Sequence, residues 1–248
     1  MKTETFQIKR DHFVIRGKLL LTEKEASDIV IISLGLGTGI SVASSFYEAE
    51  KICHTNKNVL IFDFVGGSGV SQSDGKTTEM SILTEVKDLE CVVNSVISDD
   101  RFDNKAIALL GFSQGGLLSA LVAAKHPEAI QKLILFYPAF SIPDTVKKMS
   151  HHIPAFLMPK KMNIDGNILG PIFVKDVRKL HIWKEFKKYQ KPVLIIYGEK
   201  DPICTQACIS KAKASYSNLQ LLEIPEAGHG FSKEQTDTAM NAVFSFLL

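Results

Sequence analysis

Six short, continuous apolar runs recur along the chain and constrain its fold more than any other feature of the sequence. They are IVIISL at residues 29–34, NVLIFDF at 58–64, AIALLGF at 106–112, KLILFY at 132–137, PVLIIYG at 192–198 and LQLLEIP at 219–225. Continuous rather than alternating apolarity predicts strands that are covered on both faces, as in a parallel sheet. Helical patterns lie between the runs, most clearly at residues 79–98. Strands that alternate with helices predict a doubly wound α/β sheet with right-handed crossovers.

Two segments depart from this alternation. Residues 5–10 and 12–22 show a partly alternating pattern, which predicts an antiparallel pair of half-exposed strands near the N-terminus. Residues 141–190 contain no strand-like run and are interrupted by four prolines, so we interpret them as an insertion with helices of its own. The expected organisation is a core formed by residues 1–140 and 191–248, with a helical cap at 141–190.

The insertion is basic, with ten Lys or Arg residues against four Asp or Glu residues. A run of like charge is usually a solvated face, and we favour that interpretation for these helices. The alternative is a lid that draws anionic substrates toward a site beneath it.

Composition narrows the class of protein. The 248 residues are 45% hydrophobic and 23% charged, as in an ordinary soluble globular protein. The net charge of +2 gives no reason to expect nucleic acid or a membrane surface as partner. No window approaches the roughly 18 apolar residues of a membrane-spanning helix. The N-terminal stretch lacks the apolar region of a signal peptide, so we expect a cytoplasmic protein.

The four cysteines are scattered, which predicts free thiols in a reducing compartment. Cys204 and Cys208 lie four positions apart on a predicted helix and could both face a metal, but no second pair of ligands lies nearby in the sequence. We therefore expect no metal and no cofactor. The sequence leaves open whether the chain forms a homodimer.

The stretch GFSQGG at residues 111–116 joins an apolar run to an apolar helical segment. Gly-x-Ser-x-Gly at a strand-to-helix turn is typical of a nucleophile elbow, where the turn is too tight for side chains on the flanking residues. Gly111 and Gly115 leave that room, and the turn would expose the Ser113 hydroxyl at the carboxyl edge of the sheet. Alternatively, Ser113 only caps the helix, and the pentad alone leaves both interpretations open.

A serine nucleophile needs a base, and the base needs an acid that orients it. In proteins with this elbow the order along the chain is Ser, then Asp or Glu, then His. Asp201 follows the fifth apolar run, and His229 lies between two glycines after the sixth. Asp201 could instead start a turn, Glu199 is a rival acid, and His229 could be an ordinary loop histidine. Three residues in the right order, each after a predicted strand, nevertheless favour a catalytic triad of Ser113, His229 and Asp201.

An oxyanion hole requires two backbone N–H groups near the serine. One belongs to Gln114, the residue after the nucleophile. For the second we predict Leu36, in the glycine-rich loop SLGLGTGI after the first apolar run. The glycines of this loop do not follow the G-x-G-x-x-G spacing of dinucleotide-binding proteins, so we do not interpret it as a nucleotide site.

With these residues, the chain resembles the α/β-hydrolase superfamily and, within it, the bacterial cinnamoyl/feruloyl esterases. Beyond the triad, the resemblance is carried by FDFVGGSGVSQSDGKTTEMSILTEVKDL, ILGPIFVKDVRKLHIWKEF, KPVLIIYGEKDPI and EIPEAGHGFS. It implies an α/β-hydrolase fold, a cap that forms one wall of the acyl pocket, and an aspartate early in the cap that meets the phenolic hydroxyl of the substrate. Asp144 matches that aspartate, although it could equally cap a helix.

The sequence departs from these esterases in two loops. Their oxyanion residue usually follows His-Gly, which is Leu34-Gly35 here. Their G-H-G-x-S loop is replaced by Gly66-Gly67-Ser68-Gly69. We expect the loss of the histidines to remove side-chain hydrogen bonds that brace both loops.

The expected activity is that of a serine carboxylesterase for small carboxylic esters, with feruloyl-type esters as the class that the resemblance implies. An acyl thioesterase or a small-peptide hydrolase would use the same triad, because a fold does not fix the substrate. A non-catalytic member that only binds a ligand is the alternative from another class, and the presence of all three triad residues argues against it.

Overall fold

The elements of the fold form where the sequence places its apolar runs and helical patterns. The computed structural model describes residues 1–23, 28–42, 46–154, 157–164 and 166–248. The strands are β1 (Lys2–Arg10), β2 (Phe13–Leu21), β3 (Ile29–Ser33), β4 (Asn58–Asp63), β5 (Ile107–Phe112), β6 (Ile130–Phe136), β7 (Met162–Ile164), β8 (Asn167–Leu169), β9 (Val193–Gly198) and β10 (Leu219–Ile224). The helices are α1 (Tyr47–Cys53), α2 (Ile82–Ile97), α3 (Gln114–Lys125), α4 (Ile142–Ser150), α5 (Pro171–Val177), α6 (Ile182–Phe186), α7 (Gln206–Lys213) and α8 (Lys233–Leu247). Over the described ranges, no helix is long and apolar enough to cross a membrane.

The main sheet has eight strands in the order β1-β2-β4-β3-β5-β6-β9-β10. In this sheet the six strands β4, β3, β5, β6, β9 and β10 are parallel to one another. Strand β2 is antiparallel to both β1 and β4. The predicted doubly wound sheet with an N-terminal antiparallel pair is therefore confirmed. Because β4 lies on one side of β3 and β5 on the other, the loops after β3 and β5 meet at a switch point on the carboxyl edge, where such sheets bind ligands.

Burial on both faces of the sheet explains the continuous apolar runs of the central strands, whereas the sixth run forms the edge strand β10, which is only partly buried. Every residue of β3, β4, β5 and β9 is buried. In β3, Ile29 and Ile31 belong to the core cluster that includes α2 and α3. Val30 and Ile32 belong to the opposite cluster, with α1 and α8. A strand that alternates between two apolar layers has no polar face, so its sequence shows no alternation.

Residues 141–190 contain α4, α5 and α6, and also a structure that the sequence analysis missed. The strands β7 and β8 pair as an antiparallel hairpin, apart from the main sheet. Each has only three residues, too few for an alternating pattern to be recognised. Gly166, in the turn between them, has a φ of 81°, a conformation that favours glycine. The division of the chain into a core and a cap stays a prediction.

Candidate active site

Ser113 lies in the turn between β5 and α3, in a backbone conformation that residues other than glycine rarely adopt. Its φ is 51° and its ψ is −117°. Backbone hydrogen bonds hold the turn: the N–H of Ser113 donates to the carbonyl of Phe136 at 3.0 Å, and the Ser113 carbonyl accepts from Ala139 at 2.9 Å. The Ser113 side chain does not cap α3. Its hydroxyl is therefore available to another partner, and the capping interpretation does not hold.

Two glycines make this turn possible, because neighbouring backbone passes too close for a side chain. A β carbon on Gly111 would lie 2.4 Å from the carbonyl oxygen of Gly115, and one on Gly115 would lie 2.2 Å from the carbonyl oxygen of Ser33. The Gly-x-Ser-x-Gly pattern thus reflects the tight seating of α3 against the ends of β3 and β5.

The structure brings the three residues of the predicted triad into one hydrogen-bonded chain. Ser113 Oγ lies 2.7 Å from His229 Nε2, and His229 Nδ1 lies 2.9 Å from Asp201 Oδ2. The three residues follow β5, β9 and β10, whose carboxyl ends share one edge of the sheet. With Asp201 ionised, Nδ1–H donates to the carboxylate, which leaves Nε2 to accept from the serine hydroxyl.

Asp201 is built to stay ionised. Its side chain is fully buried, and burial alone would raise its pKa. The hydrogen bonds from His229 and from the backbone N–H groups of Cys204 and Ile203 outweigh burial and hold the pKa of Asp201 below its ordinary value. The rival acid, Glu199, is exposed and accepts a hydrogen bond from the backbone N–H of Glu226 at 3.0 Å. Of the two acids, Asp201 is the one that contacts the imidazole.

The loop after β3 passes directly against the serine. A β carbon on Gly35 would lie 3.2 Å from the Ser113 β carbon, and Leu36 lines the same cavity as Ser113. Gln114 begins α3, so its N–H is one of the unpaired donors at the helix N-terminus. Among the residues that the structure describes, neither the Leu36 N–H nor the Gln114 N–H has a hydrogen-bond acceptor. Their assignment to an oxyanion hole stays a prediction.

Two residues that the sequence analysis did not single out brace this loop. Asp63, at the end of β4, accepts the N–H of Ile40 at 2.8 Å through one oxygen and the N–H of Gln72 at 2.6 Å through the other. Ser68 Oγ donates to the carbonyl of Thr38 at 2.8 Å. A carboxylate and a hydroxyl thus connect the two loops in which the sequence departs from the cinnamoyl/feruloyl esterases. The available signal was an aspartate inside the apolar run NVLIFDF.

A cavity of about 670 Å³ opens beside Ser113 and His229. Its wall comes from the loop after β3, from α1, from the ends of β5 and β6, from the loop that carries His229, and from the start of α8. The wall is largely apolar, and its apolar members include Leu34, Leu36, Phe112, Tyr137 and Phe231. Such a cavity suits a small substrate whose reactive group is held against a few polar atoms.

The described part of residues 141–190 contributes nothing to the wall of this cavity. Asp144 lies in the first turn of α4, where its exposed carboxylate is 3.0 Å from Lys211 Nζ on α7. A contact between Asp144 and the substrate therefore stays a prediction, and this cavity does not supply it.

The cysteines give no sign of a metal centre. All four are free thiols, and Cys204 and Cys208 are buried. Within the part of the chain that the structure describes, no group of three or more His, Cys, Asp or Glu side chains could hold a metal ion.

A family model described as Hydrolase_4 (serine aminopeptidase, S33) matches residues 24–180. The chain belongs to this family. It is a serine hydrolase with the α/β-hydrolase fold. The matched segment includes Ser113 but ends before Asp201 and His229, so the contact among the three is a finding of the structure.

Acylamino-acid-releasing enzymes are among the curated relatives of this Hydrolase_4 member. The enzyme of Rattus norvegicus is 27% identical over 208 residues, and that of Sus scrofa is 24% identical over 238 residues. These matches cover 77% and 89% of this chain but only 27% and 31% of the relatives. The chain thus spans less than a third of the length of the curated relatives that it matches.

Solved structures extend the likeness over almost the whole chain. Est1E from Butyrivibrio proteoclasticus, with ferulic acid bound, matches 98% of this chain and 97% of its own, with a TM-score of 0.87 and 24% identity. A likeness at this identity shows the fold alone. It confirms the predicted α/β-hydrolase fold and, at that level, the predicted resemblance to the cinnamoyl/feruloyl esterases.

In this family member, a buried polar cluster supports the residue that follows Ser113. Gln114 Nε2 donates to Glu85 Oε2 at 2.6 Å, and both side chains are buried. One turn further along α2, Asp88 accepts from Arg10 Nε at 2.5 Å. Burial and the nearby charge of Asp88 raise the pKa of Glu85 well above its ordinary value, against the opposing hydrogen bond from Gln114. The sequence feature that could have revealed this cluster is the position of Glu85 and Asp88 on the apolar face of the amphipathic helix α2.

Glu85 should make the stability of the protein depend on pH. Because its pKa is higher in the folded state than in the unfolded chain, the folded state holds the proton to a higher pH, and the free energy of unfolding falls as the pH rises above 4.5. One such proton contributes a slope of about 1.4 kcal/mol per pH unit. In Glu85→Gln the side chain can still contact Gln114 but cannot titrate. We expect the slope measured by chemical denaturation between about pH 5 and pH 7 to become less negative by up to that amount, while the raised pKa of Asp88 keeps a slope of the same sign.

The matched control for this experiment is Glu128→Gln, which changes an exposed carboxyl. It should leave the slope as it is in the natural chain. Equal slopes for the natural chain and Glu85→Gln would show that Glu85 does not hold the proton.

Proposed function

We propose that the protein is a carboxylesterase that hydrolyses small carboxylic esters through Ser113, His229 and Asp201. The single observation that carries this proposal is the hydrogen-bonded chain from Asp201 through His229 to Ser113, which opens onto the cavity. A serine hydroxyl is a weak nucleophile unless a base can take its proton, and here the imidazole is within reach to do so.

The reaction would proceed in two steps. Ser113 Oγ attacks the ester carbonyl carbon while His229 Nε2 takes the hydroxyl proton, and Asp201 stabilises the imidazolium that forms. The tetrahedral intermediate collapses as the imidazolium gives its proton to the leaving alcohol, and an acyl-enzyme remains. Water then attacks the acyl group by the same route, which releases the acid and restores Ser113.

The negative charge of the tetrahedral intermediate would be held by the N–H groups of Leu36 and Gln114. Each such donor is worth roughly 3 kcal/mol in the barrier. The hydrogen bonds of Asp63 and Ser68 support this role, because they fix the loop that carries Leu36. The N-terminal end of α3 adds a favourable partial charge at the same place.

The cavity favours small esters with an apolar or aromatic part, because rings and leucine side chains form much of its wall. Hydroxycinnamoyl esters are the finer candidate, supported by the fold shared with Est1E, whose structure holds ferulic acid.

Hydrolysis of small peptides is the second candidate function. Two observations favour it: the family is described as serine aminopeptidase, and the curated relatives are acylamino-acid-releasing enzymes. The same triad cleaves amides when the amine leaving group is protonated by the histidine.

A fluorophosphonate probe combined with a substrate panel tests the proposal. We expect the probe to label Ser113, as mapped by peptide mass spectrometry, and kcat/KM to be higher for p-nitrophenyl butyrate and methyl ferulate than for an acyl thioester or an N-acetyl amino acid anilide. Labelling with a preference for the anilide would favour the peptide hydrolase instead. A folded protein that is neither labelled nor active would be a binding protein, and the proposal would be wrong.

A further inference from the structure

Glu48 is a carboxylate in the wall of the cavity that opens at Ser113. It lies on α1 beside Tyr47, and both residues line the cavity together with His229. Burial raises the pKa of the Glu48 carboxyl, opposed by a hydrogen bond to its own backbone N–H and by the charge of Lys51. The carboxylate is thus short of solvation inside a space where a substrate would sit.

The other charged groups around this end of the cavity already have partners. Lys51 Nζ lies 2.6 Å from one carboxylate oxygen of Asp237, and Lys233 Nζ lies 3.0 Å from the other. Asp201 is paired with His229. Glu48 forms no ion pair with any residue that the structure describes. A bound ligand with a positive charge would therefore find one carboxylate in the wall that has no direct ion pair, although the charge of Lys51 acts on it from beyond ion-pair distance.

Aromatic rings line the cavity with Glu48. Tyr137 follows β6 with a φ of 36°, and its N–H donates to the carbonyl of Ile196 at 2.6 Å. This uncommon backbone conformation places its ring centroid 5.2 Å from that of His229 and 4.9 Å from that of Phe231. Non-glycine residues held in uncommon backbone conformations cluster at active sites, and Ser113 is the other example in this cavity.

Glu48 and Tyr137 line the same cavity. Burial raises the pKa of Tyr137, and the charges of Glu48 and Asp201 raise it further. One aromatic ring in this wall already makes a cation–π contact, because Lys51 Nζ lies 4.7 Å from the Tyr47 ring centroid. Ring faces beside a carboxylate are the usual environment for a substituted ammonium group.

We propose that Glu48, with the rings of Tyr137 and Phe231, binds a positively charged nitrogen of the substrate, so that the enzyme prefers ammonium-bearing esters over neutral esters of the same shape. This inference rests on the proposed function, because it names the substrate class of the same site. A cation in the cavity is attracted to this carboxylate more strongly than it would be in bulk water, because water screens the carboxylate only partly. A neutral substrate of the same shape would cover that carboxylate without supplying a cationic partner.

Two matched pairs of esters test the preference and locate the nitrogen. For a nitrogen on the acyl side, the pair is the p-nitrophenyl ester of 4-(trimethylammonio)butanoic acid and that of 5,5-dimethylhexanoic acid. For a nitrogen on the alcohol side, the pair is butyrylcholine and 3,3-dimethylbutyl butyrate. Within each pair a quaternary carbon replaces the nitrogen, so the ratio of the two kcat/KM values reports the charge alone.

We expect the charged ester to be favoured at least tenfold in one pair, and the ratio to fall to near one in Glu48→Gln. The ratio cancels any general loss of activity in the variant. The matched control is Glu50→Gln, because Glu50 is an exposed carboxyl on the same helix. It should keep the preference, since it removes the same charge from the surface but none from the cavity.

The outcomes separate this inference from the proposed function. Hydrolysis of both esters without a charge preference in either pair would overturn the inference and leave the esterase intact. A preference that survives in Glu48→Gln, or that disappears equally in Glu50→Gln, would also overturn it. Failure to hydrolyse any ester, with Ser113 unlabelled by the fluorophosphonate probe, would instead overturn the proposed function.

Discussion

Ser113→Ala is expected to lower kcat/KM for p-nitrophenyl butyrate by at least about 10⁴-fold, because the variant has no oxygen to attack the ester carbonyl. The fold should persist. Alanine keeps the β carbon of serine, so it meets the same strain at a φ of 51°, and the turn is held by backbone hydrogen bonds that the substitution leaves in place. Residual activity would come from substrate binding and the oxyanion donors alone.

The control for this substitution is Ser119→Ala. Ser119 lies on the same helix, and its hydroxyl is buried without a hydrogen-bond partner among the described residues. Removal of the Ser119 hydroxyl should leave kcat/KM unchanged. It should not lower the midpoint temperature of unfolding, because the hydroxyl makes no hydrogen bond that would be lost. Circular dichroism and thermal denaturation check both folds, and steady-state kinetics checks both activities. A Ser113→Ala enzyme that keeps more than a hundredth of the activity would exclude Ser113 as the nucleophile.

Asp201→Asn is expected to lower kcat by roughly 10³- to 10⁴-fold with a smaller effect on KM. An asparagine oxygen can still accept the backbone N–H groups of Ile203 and Cys204, which lie 2.7 Å and 2.9 Å from the carboxylate oxygen. Its amide group, however, donates toward His229 Nδ1 and favours the tautomer with the proton on Nε2. The imidazole then cannot accept the proton of Ser113, and no negative charge stabilises an imidazolium.

Glu199→Gln is the matched control, because Glu199 is the rival acid two positions earlier and contacts the backbone of Glu226 rather than the imidazole. It should retain kcat within about twofold, since exposed substitutions away from a site have small effects. If Glu199→Gln lost more activity than Asp201→Asn, the assignment of the orienting acid would have to be reversed. Rates measured at saturating substrate report kcat alone, so they separate a loss of catalysis from a loss of substrate binding.

The centre of the main sheet was predictable because the strands there are buried on both faces. A strand such as β5 appears in the sequence as one apolar run. The Gly-x-Ser-x-Gly motif around Ser113 marks the carboxyl end of that run. The order of Ser113, Asp201 and His229 along the chain was also available to sequence reasoning. Their contact was not, because it depends on how the ends of β5, β9 and β10 meet at one edge of the sheet.

The supporting residues escaped the sequence analysis for a different reason. Asp63, Glu85 and Glu48 gain their roles from burial beside elements that are distant along the chain, and an acid in a helix or at a strand end usually reads as solvated. The hairpin of β7 and β8 was missed because three-residue strands carry no period. The resemblance to feruloyl esterases directed attention to Asp144 in the insertion, whereas the cavity described here is bounded by α1 and α8.

Because α1 and α8 contribute side chains to the cavity wall and the described part of residues 141–190 contributes none, selectivity can be engineered separately from that segment. A library that randomises Tyr47, Glu48, Lys233 and Thr236 would diversify the wall at four codons and leave the nucleophile turn unaltered. Residues 141–190 would then be the place to attach the enzyme to a solid support, since the described part of that segment does not line the cavity.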